Sequence, residues 1–324
     1  MTAHVRPATV HGFQSLILEN ELISAELIPQ LGGRVWELHD RRRSRQWIWQ
    51  REEVSLRAMP LGACYDDSWA GGWEELFPND APGEFEGHAL PDHGEWWSAA
   101  WNVAQITQGA EATVRLTTEL RIRKAVCTKE YRLARDSDTL RVSYRIESMD
   151  AEPFHFLFKQ HLPVALTPAC EIVLPGGTVT AVDPSFGTML PGPGPFAWPV
   201  AHSTNGTVDL GVVPPRSKHA REFIYVSERP DNWCGIDDRE RGAALRMYSD
   251  NSALPFLWLF LTYGGWRNCY TAVLEPCTNL PKDLAEATRL GQSAQLTPGG
   301  VFETEVAVSL RGLETADRWQ KSSR

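Results

Sequence analysis

Alternation of apolar and polar residues with a period of two is the strongest constraint on what this chain can become. Over residues 114–123, Val114, Leu116, Leu120 and Ile122 take turns with Arg115, Thr117, Glu119, Arg121 and Arg123. Successive side chains of a strand leave on opposite faces, so this spacing gathers apolar groups on one side and charges on the other. That is the pattern of an antiparallel strand with one face in the core and one in water. Residues 140–147 repeat it after the turn-forming run Arg135-Asp136-Ser137-Asp138, and with residues 127–134 ahead of that turn they read as a hairpin. Residues 302–310 repeat it again. Helical periodicity is nearly absent; the best short candidate is 281–290, with Asn279 as a cap ahead of it. Short strands divided by Gly and Pro, with no solenoid or propeller repeat, predict an all-β chain: a large antiparallel β-sandwich with few short helices.

A length of 324 residues lies within reach of one large sandwich. Strand patterns continue on both sides of the Pro- and Gly-rich stretch 190–199, so residues 1–324 are expected to form a single domain, its core at about 12–313 between flexible ends. The formal net charge of -9 argues against a nucleic-acid partner, because binding to phosphate backbones is driven by Lys and Arg. Beside Asp40, the basic run Arg41-Arg42-Arg43 reads as a solvated hairpin tip. No apolar stretch approaches the roughly 20 residues of a membrane span, and residues 1–14 lack the apolar segment of a secretory signal. Six cysteines without a Cys-x-x-Cys pair fit reduced thiols and a cytoplasmic location.

Three places concentrate residues able to do chemistry. The first is Gly71-Gly72-Trp73-Glu74-Glu75-Leu76-Phe77-Pro78-Asn79, followed by Pro91-Asp92-His93-Gly94-Glu95-Trp96-Trp97. Glycine hinges, aromatic clusters, carboxylates and an imidazole together describe a ligand-holding loop rather than a bare turn. Trp faces stack on the C–H faces of sugar rings, although they also fill cores. The second is the aromatic strand 154–163, where Lys159 and His161 lie two apart and so leave on one face. His155 shares that parity, but Phe154 and Phe156 around it equally suit a packed or edge role. The third is Val273-Leu274-Glu275-Pro276, which puts a carboxylate at a strand end where burial demands partners. Two imidazoles and a carboxylate can move protons at a hemiacetal, one group taking the anomeric proton while another donates to the ring oxygen. The same residue types could ligate a divalent ion, but the two-His helix motif and a close His pair are both missing. A Gly-x-Ser-x-Gly elbow and phosphate-cradling Gly loops are missing too.

Taken in order, these segments resemble the aldose 1-epimerase family, whose members share the galactose mutarotase-like β-sandwich. The likeness runs along nearly the whole chain. Asn20-Glu21-Leu22-Ile23-Ser24-Ala25-Glu26-Leu27-Ile28-Pro29 and Leu31-Gly32-Gly33-Arg34-Val35 resemble the opening strand and its Gly-Gly-Arg turn. The loop ending at His93-Gly94, the strand ending at His161 and the strand with Glu275 resemble the three catalytic segments. The resemblance implies a cofactor-independent isomerase without a metal, acting on a small-molecule sugar, as a monomer or homodimer. Glu275 would take the anomeric proton, His161 would protonate the ring oxygen, and His93 would hold and polarise it. Substrate contacts are expected from Trp73 first, then from Trp96, Trp97 and Trp266. Arg34, Lys159 and Arg267 would supply cations if they face the pocket, or stand as surface charges. Leu162-Pro163-Val164 replaces the Phe-Asn-Leu that often follows the second His, and Asp237, Asp238 and Asp250 compete for the acid that grips sugar hydroxyls. Two other readings stay open: a non-catalytic sugar-binding or regulatory protein on the same fold, and another carbohydrate isomerase or lyase, for which Tyr65, Tyr263 and Tyr270 are available.

Overall fold

The computed structural model describes residues 2–192, 194–203 and 206–313. Three antiparallel sheets dominate. An eight-stranded sheet runs in the order Cys170–Val173, Trp233–Asp238, Ala243–Ser249, Val301–Gly312, Thr139–Ser148, Ala125–Ala134, Glu111–Glu119 and Asn102–Thr107. It contains the alternating runs 140–147 and 302–310 whole but only the first part of 114–123: that strand ends at Glu119, and past it, in the bend at 121–123, Ile122 is half-buried and Arg123 buried. Thr139–Ser148 pairs on both sides, with Ala125–Ala134 and with Val301–Gly312. A seven-stranded sheet runs Phe196–Ala197, Thr178–Ala181, Ala220–Ser227, Phe256–Tyr263, Tyr270–Cys277, Lys159–Ala165 and Glu74–Leu76. A five-stranded meander, His4–Val10 to Arg45–Gln46, completes the fold. Residues of all three sheets, among them Leu27, Leu116, Val142, Leu162, Leu274 and Val308, meet in one buried apolar cluster. No helix among the described residues is long and apolar enough to cross a membrane.

The structure corrects two other local expectations. The ordered fold starts before residue 12, because His4–Val10 pairs along its length with Phe13–Glu19. It is an edge strand holding Pro7, which an edge tolerates because one side of its backbone needs no partner. The expected flexible C-terminal end, 314–324, lies outside the described residues. The helix is Leu284–Arg289, and its cap is Asp283, whose carboxylate accepts from the backbone N–H of Glu286 at 2.7 Å, rather than Asn279. The basic run is a hairpin tip as expected, with Arg41 and Arg42 exposed, and Arg42 and Arg43 also reach back to the fully buried Asp40 at 3.3 and 3.0 Å, since a carboxylate without water requires cations.

Charge also reaches the sandwich interior. Lys129 is completely buried and pairs with Glu75, donates to the carbonyl of Gly32, and lies 5.1 and 4.6 Å from the ring centres of Trp96 and Trp101. Tyr144 donates to the other oxygen of Glu75 at 2.6 Å. Breaking a buried ion pair leaves one charge uncompensated and typically costs about 3–5 kcal/mol. Lys129→Ala is therefore expected to lower the unfolding free energy by about that amount, read as a lower urea midpoint at unchanged slope.

Candidate active site

The strand Lys159–Ala165 lies between Glu74–Leu76 and Tyr270–Cys277, and its register decides what meets what. His161 is paired with Glu74 on one side; on the other, Lys159↔Cys277 and Leu162↔Leu274 set His161 opposite Glu275. Directly opposed residues share a face, so Glu74, His161 and Glu275 form a row across the sheet. Their neighbours Glu75 and Gln160 point the other way, into the sandwich, where Gln160 accepts from the indole N–H of Trp73 at 2.9 Å. Lys159 shares the His161 face, as its spacing predicts. Its ammonium pairs with Glu275 at 2.6 Å and with Asp80, and lies 4.0 Å from the ring centre of Trp258.

His93 arrives from a loop. Its backbone N–H donates to the carbonyl of Asp80 at 2.8 Å, and its φ of 60° lies in the left-handed region. Gly94 follows at φ 70°, where a Cβ would sit 2.3 Å from the carbonyl oxygen of Phe77. Only glycine can follow His93 in this packing, which is the physical content of the His-Gly pair. One oxygen of Asp92 holds His93 Nδ1 at 2.8 Å and the other accepts from the backbone N–H of Tyr65 at 3.1 Å. The Tyr65 ring stacks on the His93 imidazole at 3.8 Å and 6°, and the two imidazoles stand 6.3 Å apart at nearly a right angle.

These surroundings give the groups different charges. Burial disfavours the His93 imidazolium, but the charge of Asp80 and the hydrogen bond His93 donates to Asp92 outweigh it and raise its pKa. Burial, helped by the positive charges of Lys159 and His93, holds His161 well below the ordinary imidazole range. Burial also raises the Glu275 carboxyl, with Lys159 opposing it, so the carboxylate is more basic than usual. For Lys159 burial works against the charge, and Asp80 and Glu275 prevail and raise its pKa. An imidazole that holds its proton more tightly than usual, one that holds it less tightly and a carboxylate more basic than usual thus face one space.

That space is a cavity of about 270 Å³. His93, His161, Glu275, Lys159 and Trp266 line it, so the three residues proposed for chemistry converge although widely separated in sequence. Trp73 and Trp96 do not line it. Both are buried, Trp73 against Gln160 and Trp96 between Phe77, Trp101 and Phe158, because each indole fills the core behind the site. Trp97 is buried beside Tyr65, and Arg34 is a buried partner of Glu74 at 2.7 Å, also donating to the carbonyls of Leu31, Gly71 and Trp97. Arg267 is an exposed partner of Asp67. Asp237 and Asp238 serve Arg246 and Arg45, and Asp250 closes a turn through Ser252; the acids at the cavity are Asp66, Asp80 and Asp92. His155 lies on the separate strand Phe154–Phe156 against Ser293. Of the tyrosines, Tyr65 reaches the cavity, while Tyr263 is buried and Tyr270 donates to the carbonyl of Pro214. The aromatic wall comes from Trp69, Phe186, Phe223, Phe260 and Trp266. Phe223 and Phe260 are half-buried and direct cross-strand partners, a pairing that the periodicity of either strand alone does not show.

No family model and no curated protein matches the chain. Solved structures do match, and the fold is the galactose mutarotase-like one. A proposed aldose 1-epimerase from Klebsiella pneumoniae aligns at TM-score 0.75 and 12% identity over 96% of this chain and 84% of its own. A galactose mutarotase-like protein from Clostridium acetobutylicum aligns at 0.67 and 11% over 96% and 99%. A TPR-domain-containing protein from Parabacteroides distasonis aligns at 0.68 and 16% over 96% of this chain, which spans 50% of that longer one.

The opposite shifts of the two imidazoles have opposite effects on stability. His93 binds its proton more tightly folded than unfolded; its contribution is complete below the ordinary imidazole value of about 6.5 and fades as pH rises through the folded value. His161 does the reverse, and its contribution, present above about 6.5, is lost on acidification. Nitrogen-15 NMR titration is expected to show His93 still charged at a pH where free imidazole is half neutral, and His161 neutral throughout. Equal midpoints for the two would contradict this electrostatic picture.

Proposed function

We propose that this galactose mutarotase-like chain interconverts the α and β anomers of an aldose by acid–base ring opening. The carrying observation is that His93, His161 and Glu275 meet in one aromatic-walled cavity with a proton donor and a proton acceptor held ready together. The cavity lies near the small end of the roughly 300–1,000 Å³ typical of ligand pockets, a scale that suits one sugar ring. Glu275 takes the proton of the anomeric hydroxyl; the C1–O bond to the ring oxygen breaks as C1 becomes a carbonyl; and the ring oxygen receives a proton from an imidazolium. Rotation about C1–C2 and the reverse transfers close the ring on the other face. The charge states favour His93, rather than His161, as that donor, and the aromatic faces hold the apolar side of the ring. All six cysteines are free, which fits the reducing compartment proposed for it.

Glu275→Gln keeps the size and removes the base, so anomer exchange is expected to fall by about 10²- to 10⁴-fold, with sugar binding retained. Polarimetry or NMR exchange across a panel of aldoses measures the rate, and titration calorimetry the binding. The unmodified rate is expected to fall on the acid side, as Glu275 gains a proton, and on the alkaline side, as His93 loses one. A protein that binds sugars and leaves exchange at its spontaneous rate is a binding protein on this fold, and the proposal then fails.

A further inference from the structure

Beside His161, at the wall of the cavity, lies a chain of polar contacts that the ring-opening scheme does not use. Tyr65 begins the short helix Tyr65–Ser68, and its phenol oxygen stands between two groups, 2.5 Å from Glu74 Oε1 and 3.2 Å from His161 Nδ1. Glu74 Oε2 faces Arg34 at 2.7 Å, and both of these side chains are buried. A phenol has one proton. Burial raises the Glu74 carboxyl, while Arg34 and the Tyr65 hydroxyl oppose it by favouring the charged form; a carboxylate paired with a guanidinium only accepts, so the Tyr65 hydroxyl donates to Glu74 and has a lone pair left for His161. Nδ1 must then bear the hydrogen.

We propose that Arg34, Glu74 and Tyr65 are positioning residues that lock His161 in its Nδ1–H form and present a bare Nε2 to the sugar. The inference rests on the ring-opening reading for its consequence and on these contacts for its geometry. In this form His161 accepts a hydrogen bond from a sugar hydroxyl and cannot give a proton to the ring oxygen, which leaves His93 as the one donor imidazole. Tyr65 touches both imidazoles by different means, its hydroxyl on His161 and its ring face on His93. The phenol can therefore be removed while the stack stays.

Tyr65→Phe provides that separation. In the unmodified protein, long-range proton–nitrogen NMR is expected to show His161 Nδ1 as the protonated nitrogen and Nε2 as the unprotonated one. In Tyr65→Phe, His161 loses the acceptor on Nδ1 and moves toward the Nε2–H form, while the His93 signals keep their pattern. The sugar dissociation constant is expected to rise by about tenfold, the order of one lost hydrogen bond, because His161 no longer accepts from the sugar hydroxyl. An Nε2–H His161 in the unmodified protein overturns the proposal, as does a Tyr65→Phe protein whose His161 nitrogens are unchanged. Failure of the ring-opening reading looks different: Nδ1–H is present on His161, yet no aldose exchanges faster than in buffer, and the relay then stands as the organiser of a binding site.

Discussion

Two consecutive carboxylates, Glu74 and Glu75, are buried in one short strand and point to opposite faces of the sheet. Each demands a cation, because an unpaired charge cannot be sustained away from water. Arg34 meets Glu74 on the cavity side and Lys129 meets Glu75 inside the sandwich. These pairs tie the Gly-Gly-Arg turn of the five-stranded meander and the Ala125–Ala134 strand of the large sheet to the same strand of the seven-stranded sheet. His161 and Gln160, the partners of Glu74 and Glu75 in the ladder, inherit their directions from this arrangement. A one-residue slip would turn the imidazole into the core and the wrong carboxylate toward the cavity.

Much of the architecture was legible because strands of the large sheet have a wet face. Alternation along 114–119 needs water on one side, and the eight-stranded sheet provides it. Lys159–Ala165 and Tyr270–Cys277 are covered on both faces, so the apolar–polar period disappears there, and only the two-residue spacing of Lys159 and His161 shows which way they look. Glu275 was legible from its place ahead of Pro276; its partner Lys159 was legible as a cation but not as the base's companion, since ladder register joins residues more than a hundred positions apart.

The tryptophans mislead for a physical reason. An indole is equally suited to a sugar face and to a core, and the sequence around Trp73 and Trp96 has the glycines and carboxylates of a site, yet both rings pack behind it. The acids were misplaced in a similar way. Asp237 and Asp238 look available in a strand, but they answer to Arg246 and Arg45, whereas Asp80 and Asp92 enter from loops whose course is set by the Gly94–Phe77 contact rather than by any periodicity. Tyr65 was named only as a residue open to a lyase; its place lies in what its hydroxyl and its ring face touch, and neither is written in its neighbours.

The cavity is built from two kinds of scaffold. His161, Glu275 and Lys159 stand on adjacent, doubly covered strands, where a change of backbone would disturb a buried ion pair. Phe186 and Lys282 come from connecting segments, and Phe223, Phe260 and Trp266 are only partly buried. Variation at this rim alters the shape offered to a ligand without moving the proton-handling groups beneath. Such a division separates two tasks: the rim sets which ligand fits, and the buried row beneath sets what can be done to it.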